Sequence, residues 1–292
     1  MSLHTETVIN TLNHNSVSFL PRGELFISRD FLDHHFCKYK GHYVKQLESA
    51  AQCLGLSAIG VELGTEWSDS LLSEMGYKEL GQYFTVGCIN GPISNLIKDH
   101  GFFNAMLSMK NKPALFSDIV TKLLRDTEKM AKLAHANGFR AIAIADDIAG
   151  NRGLLFSYDY FADMVCPVYK EIAEIVKRND LFTFFHSDGD TRKVVEPLIE
   201  VGYDCIHPID TRAGLNLYEL KNEFGERVSF MGHIDFMVWS EEDINKEISL
   251  AEDEFKTGGL ILGSTGGLSM ETINDKLGVL YPQTPYFFLD KK

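Results

Sequence analysis

Three apolar runs in the second half of the chain each end in a histidine followed closely by an aspartate: His186 with Asp188, His207 with Asp210, and His233 with Asp235. Neutral imidazole and carboxylate together make a donor set for zinc or another divalent ion. In His186-x-Asp188, two residues apart at a strand end, both side chains can turn the same way. Without a metal, the same residues serve general acid–base chemistry, in which neighbouring carboxylates force their pKa values apart. An earlier run ends in Asp146-Asp147, which suits that second role, and another in Glu62; Glu62 or Asp147 is the further candidate ligand beside His186 and Asp188. Each motif also has a structural reading. A histidine at a strand end is more often partly buried than a ligand, and an aspartate there commonly caps the next helix. Asp188 or Asp190 could cap a helix starting near Thr191, and Asp146-Asp147 could split into one inward side chain and one loop cap. What favours chemistry is repetition: strands sharing a rim would turn all six side chains of the three pairs toward one mouth.

Other residues fall in the same class of position. Arg22, Arg152, Arg192 and Arg212 all lie in segments expected to follow strands, where a guanidinium can hold a carboxylate or phosphate bidentately. The stretch Gly263-Ser264-Thr265-Gly266-Gly267 lets backbone N–H groups approach an anion, ahead of a helix expected to be capped by Ser269. The candidate catalytic set is therefore Asp146, Asp147, His207, Asp210, His233 and Asp235. Arg22, Glu24, Arg152 and Ser264 are the substrate-binding candidates, and His186, Asp188 and Glu62 the metal candidates. Cys88 and Cys205 have no nucleophile motif around them and read as small core residues.

Positioning these groups requires strands that stop at one rim. Apolar runs that read as buried parallel strands are Phe19–Leu20, Ala58–Leu63, Tyr83–Cys88, Ala141–Ala145, Leu181–Phe185, Cys205–Ile209, Val228–Met231 and Leu260–Leu262. Between them lie amphipathic segments, the clearest of which runs from Phe116 to a stop at Asn137-Gly138. Ser240 with Asp243 opens another in the manner of a capping box. The stretch from Tyr83 to Lys112 departs from the βα rhythm and is expected to hold an irregular insertion. Eight strands each followed by helix point to a single α/β domain over residues 1–292, a (β/α)8 barrel. The rival open doubly wound sheet lacks its Gly-rich phosphate loop here.

Composition narrows the partners. The 292 residues are 45% hydrophobic and 24% charged, with a formal net charge of −13. That acidity argues against nucleic acid and an anionic membrane surface as partners, while leaving a small anionic ligand open. No apolar stretch approaches the ~20 residues that span a bilayer, and the polar N-terminus lacks a signal-peptide core. Five scattered cysteines, never in CxxC spacing, suggest a reducing, cytoplasmic setting.

Five segments carry a resemblance: Pro21–Leu25 (PRGEL), Ala145–Ser157 (ADDIAGNRGLLFS), Phe185–Asp190 (FHSDGD), Gly232–Phe236 (GHIDF) and Ile261–Leu268 (ILGSTGGL). In this order and spacing the chain resembles the uroporphyrinogen decarboxylase superfamily, which implies a single (β/α)8 barrel. Two chemistries follow from the resemblance. The decarboxylases grip a tetrapyrrole with an N-terminal R-Q-A-G-R-Y segment. Here PRGELFIS stands in its place, with Arg22 the only matching arginine. Their histidine after the last strand falls near Gly266, and their Gly-Asn-x-Asp becomes Gly232-His233-x-Asp235.

The corrinoid-dependent methyltransferases, which the PRGEL and HSDGD forms resemble more, use zinc held by His-x-Cys and a later Cys. His186 matches that histidine, Asp188 replaces the first cysteine, and Gly266 sits near the second. The resemblance thus implies a methyl transfer between a small methylated substrate or thiol and cobalamin, assisted by a divalent metal such as zinc. A separate corrinoid protein is an implied partner. Decarboxylation of uroporphyrinogen is the alternative expectation, and a catalytically inactive corrinoid or tetrapyrrole carrier the third.

Overall fold

A computed structural model of the chain describes residues 1–64, 68, 72, 76–272 and 274–281. Eight strands form one parallel sheet: β1 (Gly23–Glu24), β2 (Ala58–Glu62), β3 (Phe84–Asn90), β4 (Ala141–Ala145), β7 (Phe182–His186), β8 (Cys205–His207), β9 (Ser229–Ile234) and β10 (Leu260–Ser264). A bridge between Arg22 and Leu262 joins the first strand to the last and closes the barrel. The fold is therefore the expected α/β barrel. After β4 the chain makes a small antiparallel hairpin, β5 (Ala149–Gly150) and β6 (Gly153–Leu154), before returning to the barrel. Among the described residues no helix is long and apolar enough to cross a membrane.

Two apolar layers hold the barrel. Inside it, Leu25, Ala58, Phe84, Val86, Cys88, Ala141, Ala143, Phe184, Cys205, Met231 and Ile261 form one cluster. Outside it, residues such as Ile59, Val61, Ile142, Phe185 and Ile206 pack against the helices, following the two-residue alternation of strands. The interior cluster also takes Val8 and Leu12 from a helix (Leu3–Leu12) that the sequence pattern did not single out. Thr11 of that helix accepts hydrogen bonds from the Gly259 N–H (2.9 Å) and the Ser229 hydroxyl (3.2 Å), at the strands' starts. The helix thus covers the N-terminal end, and the C-terminal ends are the open mouth.

Three local expectations need correction. The first strand is not Phe19–Leu20, because the Phe19 ring is solvent-exposed; it is Gly23–Glu24, paired with Ala58 and Ile59. Only glycine fits at position 23, since a Cβ there would lie 2.7 Å from Ile261 Cγ2 and 2.9 Å from Ala58 Cβ. The stretch expected to be irregular is instead β3 followed by two short helices, Pro92–His100 and Phe102–Asn111, and then the long helix Pro113–Ala136. Ser269 does not cap the last helix, whose described span is Asn274–Leu280.

Candidate active site

The site lies where β4, β7 and β8 stop. Their register sets Ala145 beside His186 and His186 beside His207, so residues just past these positions meet at one level of the rim. Asp147, His186 and Asp188 each bring one ligand atom to within 4.8 Å of the others. His186 Nε2 stands 3.6 Å from Asp147 Oδ1, and that same oxygen accepts the Asp188 backbone N–H at 3.1 Å. His186 is buried, while both carboxylates are exposed toward the mouth.

Behind His186 sits His207, with the two Nδ1 atoms 2.8 Å apart. The Phe26 ring packs edge-on against both, 4.7 Å from the His186 centroid and 6.0 Å from that of His207. Burial disfavours the imidazolium form, which pushes His186 down to about 4 and His207 well below the usual histidine range. Both are therefore neutral near pH 7 and available as nitrogen donors. Asp188 is pushed up to about 6, first by loss of water and then by the neighbouring charges of Asp147 and Asp210, against the pull of Arg212.

The loop that carries Asp188 is held from two sides. Asp210 accepts the Gly189 N–H through Oδ2 at 3.1 Å, and through Oδ1 the N–H groups of Arg212 and Ala213. The Ser187 hydroxyl accepts the Ile148 N–H and donates to the Asp188 carbonyl. At Gly189, with φ at 89°, a Cβ would lie 2.7 Å from the Ala149 carbonyl carbon in the β5–β6 hairpin. Glycine lets loop and hairpin touch there. Asp235, also buried, accepts the Met237 N–H and lies 2.9 Å from Arg212 Nε, so Arg212 is fixed near Asp188.

A family model described as uroporphyrinogen decarboxylase (URO-D) matches residues 76–281. The chain belongs to this family. Over 99% of both chains the fold superposes on a methyltransferase from Methanosarcina mazei, with a TM-score of 0.77 at 16% identity. A sugar phosphate isomerase/epimerase from Parabacteroides distasonis superposes at a TM-score of 0.52 and 9% identity, over 93% of this chain and 97% of that one. D-psicose 3-epimerase from Clostridium cellulolyticum does so at 0.50 and 10%, over 85% and 91%. At such identities these likenesses concern the barrel. No curated protein matches.

Within this uroporphyrinogen decarboxylase barrel, several expected site residues do not reach the mouth. Asp146 is wholly buried and accepts the Ser94 N–H (2.5 Å), the Ile93 N–H (3.2 Å) and the Tyr169 hydroxyl (2.6 Å). It caps the helix Pro92–His100, and burial raises its pKa to about 6. Of the two adjacent aspartates, only Asp147 thus faces the mouth.

His233 is turned outward because Gly232 and His233 both take positive φ, 95° and 100°. Its Nε2 meets Glu247 Oε1 at 3.0 Å on the helix Glu241–Glu254, and its ring packs against Trp239. The expectation that all three His–Asp pairs face one mouth is corrected accordingly. Glu24 is buried in the wall, bonded to the Ser264 N–H (2.9 Å), the Ser264 hydroxyl (2.7 Å) and the Tyr281 hydroxyl. Arg22 turns to Leu20, Leu280 and Glu252, beside the N-terminal helix rather than the mouth. Arg152 is exposed at the tip of the hairpin. Glu62 ends β2 above a separate cavity lined by Asn90, Asn95 and Lys98, outside the Asp147–His186–Asp188 cluster. Sequence reasoning missed Phe26; its position four residues past Arg22 carries no polar signal, and only the fold brings it under the histidines.

Proposed function

We propose that this family member is a methyltransferase, moving a methyl group between a small methylated substrate or thiol and a corrinoid, with a divalent cation held by Asp147, His186 and Asp188. The observation that carries the reading is the convergence of those three ligand atoms within 4.8 Å at the barrel mouth. One imidazole nitrogen and two carboxylate oxygens suit a divalent ion such as zinc, with open coordination positions left for a substrate. Such an ion supplies Lewis acidity, lowering the pKa of a thiol or polarising a methoxyl oxygen.

The chain's own groups do the rest. His186, neutral at pH 7, offers a nitrogen lone pair, and Asp147 and Asp188 offer negative charge. Phe26 keeps water from the two imidazoles. Arg212, braced by Asp235, sets a positive charge near Asp188 that suits an anionic group on the substrate. Met237, Val238 and Met270, exposed on the loops after β9 and β10, give the rim an apolar side suited to a broad macrocycle. Decarboxylation of a tetrapyrrole would call for free arginines at the mouth. Arg22 is engaged at the other end of the barrel, which leaves that reading less support.

The test is zinc titration by calorimetry on tag-free protein, paired with a spectroscopic assay of methyl transfer from methylcobalamin to thiols. Binding that weakens by about a hundredfold or more in His186→Ala, on the scale of losing one of three ligands, supports the metal part. Absence of zinc binding in the parent protein defeats it. Stepwise carboxyl loss from uroporphyrinogen would favour decarboxylation instead.

A further inference from the structure

The 2.8 Å separation of the His186 and His207 Nδ1 atoms has a strict requirement. Two like nitrogens at that distance need one proton between them: two lone pairs would repel, and two N–H groups would clash. One ring donates and the other accepts. The far side of His186 decides which. Its Nε2 is 3.6 Å from Asp147 Oδ1, too long for a hydrogen bond. That oxygen is instead taken up by the Asp188 N–H at 3.1 Å, so an N–H on His186 Nε2 would have no hydrogen bond from Asp147. The Nδ1 proton, by contrast, has an acceptor at 2.8 Å in His207, and this geometry favours the Nδ1–H form of His186. Phe26, edge-on to both rings, holds them in this relation.

We propose that His207 is a positioning residue that sets the tautomer of His186, keeping His186 Nε2 bare and aimed between Asp147 and Asp188. His207 would not touch the bound ion or substrate. It acts by accepting the one proton that would otherwise be free to occupy the ligating nitrogen. The purpose of the arrangement rests on the metal-binding reading above; the tautomer itself does not. The group that accepts the other N–H of a metal-binding histidine is usually a carboxylate or carbonyl, and a second imidazole in that role leaves the pair uncharged within a buried setting.

The experiment is long-range 1H–15N correlation NMR on histidine-labelled protein, metal-free and zinc-loaded, with zinc affinity measured in parallel. The parent protein should show His186 protonated on Nδ1 in both states. His207→Leu should release that preference and weaken zinc by about ten- to a hundredfold. His207→Asn, whose amide oxygen can take the acceptor position, should restore affinity to within about threefold. Parent protein with the His186 proton on Nε2 overturns the proposal. So does a folded His207→Leu with unchanged tautomer and affinity. Should His207→Leu fail to fold, the parent tautomer and the Asn variant still decide. If the parent binds no zinc but keeps the Nδ1 proton, the metal reading falls and what stands is that His207 sets the His186 tautomer.

Discussion

The β4–β7–β8 side of the mouth and the β9–β10–β1 wall draw on the same residue types, and differ in what their polar atoms have left to do. In the wall, Glu24 is closed off by Ser264 and Tyr281, and His233 Nε2 by Glu247, which also accepts from Tyr218 at 2.5 Å, while the buried His233 Nδ1 is left without a hydrogen bond. Those carboxylates have protein donors for both charge and geometry. At the mouth, Asp147 and Asp188 face His186 without a hydrogen bond from it, and both remain open to solvent. Asp147 Oδ1 already accepts the Asp188 N–H, but the remaining carboxylate lone pairs converge with His186 on the solvent side, which is where an external cation finds room. Residue type alone does not separate the two regions; the partners do.

The sharpest test of that contrast compares adjacent aspartates. Asp146→Ala strips partners from two backbone N–H groups and the buried Tyr169 hydroxyl. The expected loss is about 4 kcal/mol, given roughly 1–3 kcal/mol per buried group left unpaired. Asp147→Ala removes an exposed carboxylate and should change stability by less than about 0.5 kcal/mol while weakening zinc. Urea unfolding and zinc titration on both variants read the two effects separately. A marginal cost for Asp146→Ala would mean that its cap does not hold the helix Pro92–His100.

A second test uses pH. Burial raises the Glu24 pKa from 4.5 to about 7, against the lowering effect of its hydrogen bonds with Tyr281 and Ser264. Below pH 4.5 the group is protonated in both folded and unfolded chains. As pH rises from 4.5 to 7, the unfolded chain loses the proton and the folded one keeps it. Stability should therefore fall across that window, by about 3 kcal/mol from this group at 1.36 kcal/mol per unit. Glu24→Gln removes the titration. Denaturation midpoints of parent and variant, followed from pH 4.5 to 8, should converge or cross as pH rises, and parallel curves would contradict the burial argument.

How much of this contrast was legible in advance depended on what carries each feature. Ala141–Ala145 is a strand in both sequence and structure because an unbroken apolar run covered on both faces has no other reading at that length. The capping box at Ser240 and Asp243 was equally plain, being local. The first strand was not, since two residues wedged against Ala58 and Ile261 leave no periodic signature. Nor could any local pattern divide Asp146 from Asp147, because the donors that claim Asp146 lie some fifty positions earlier and on Tyr169. His186 and Asp188 were readable from spacing, whereas the outward turn of His233 depends on the positive φ of two consecutive residues and on Glu247 across the barrel wall.

That outward turn gives a third, smaller effect. His233→Ala removes a buried ring packed on Trp239 and leaves Glu247 short of a donor. A cost of about 2 kcal/mol is expected, offset in part by relief of the positive φ at a non-glycine position. Zinc affinity should not move. If it weakens together with stability, the wall and the mouth are coupled and the division between them is too strict.

The smallest effect is expected at Glu62, which its place at a strand end had grouped with His186 and Asp188. Its carboxylate ends β2, and the atoms that gather around a possible ion come from the ends of β4 and β7 instead. Glu62 faces a cavity with Asn90, Asn95 and Lys98, and adds negative charge near the Cys88 thiol, which burial first of all pushes up to about 12. With β3 between β2 and β4, and strands about 4.8 Å apart, its exposed charge stands on the order of 10 Å from the cluster and contributes little to a cation there, since exposed charges are screened beyond roughly 10 Å at ordinary ionic strength. Glu62→Gln should thus leave zinc affinity within about twofold of the parent, the change expected for a screened charge. A loss comparable to that of Asp188→Asn would put a fourth ligand on the β2 side and widen the site to three strands.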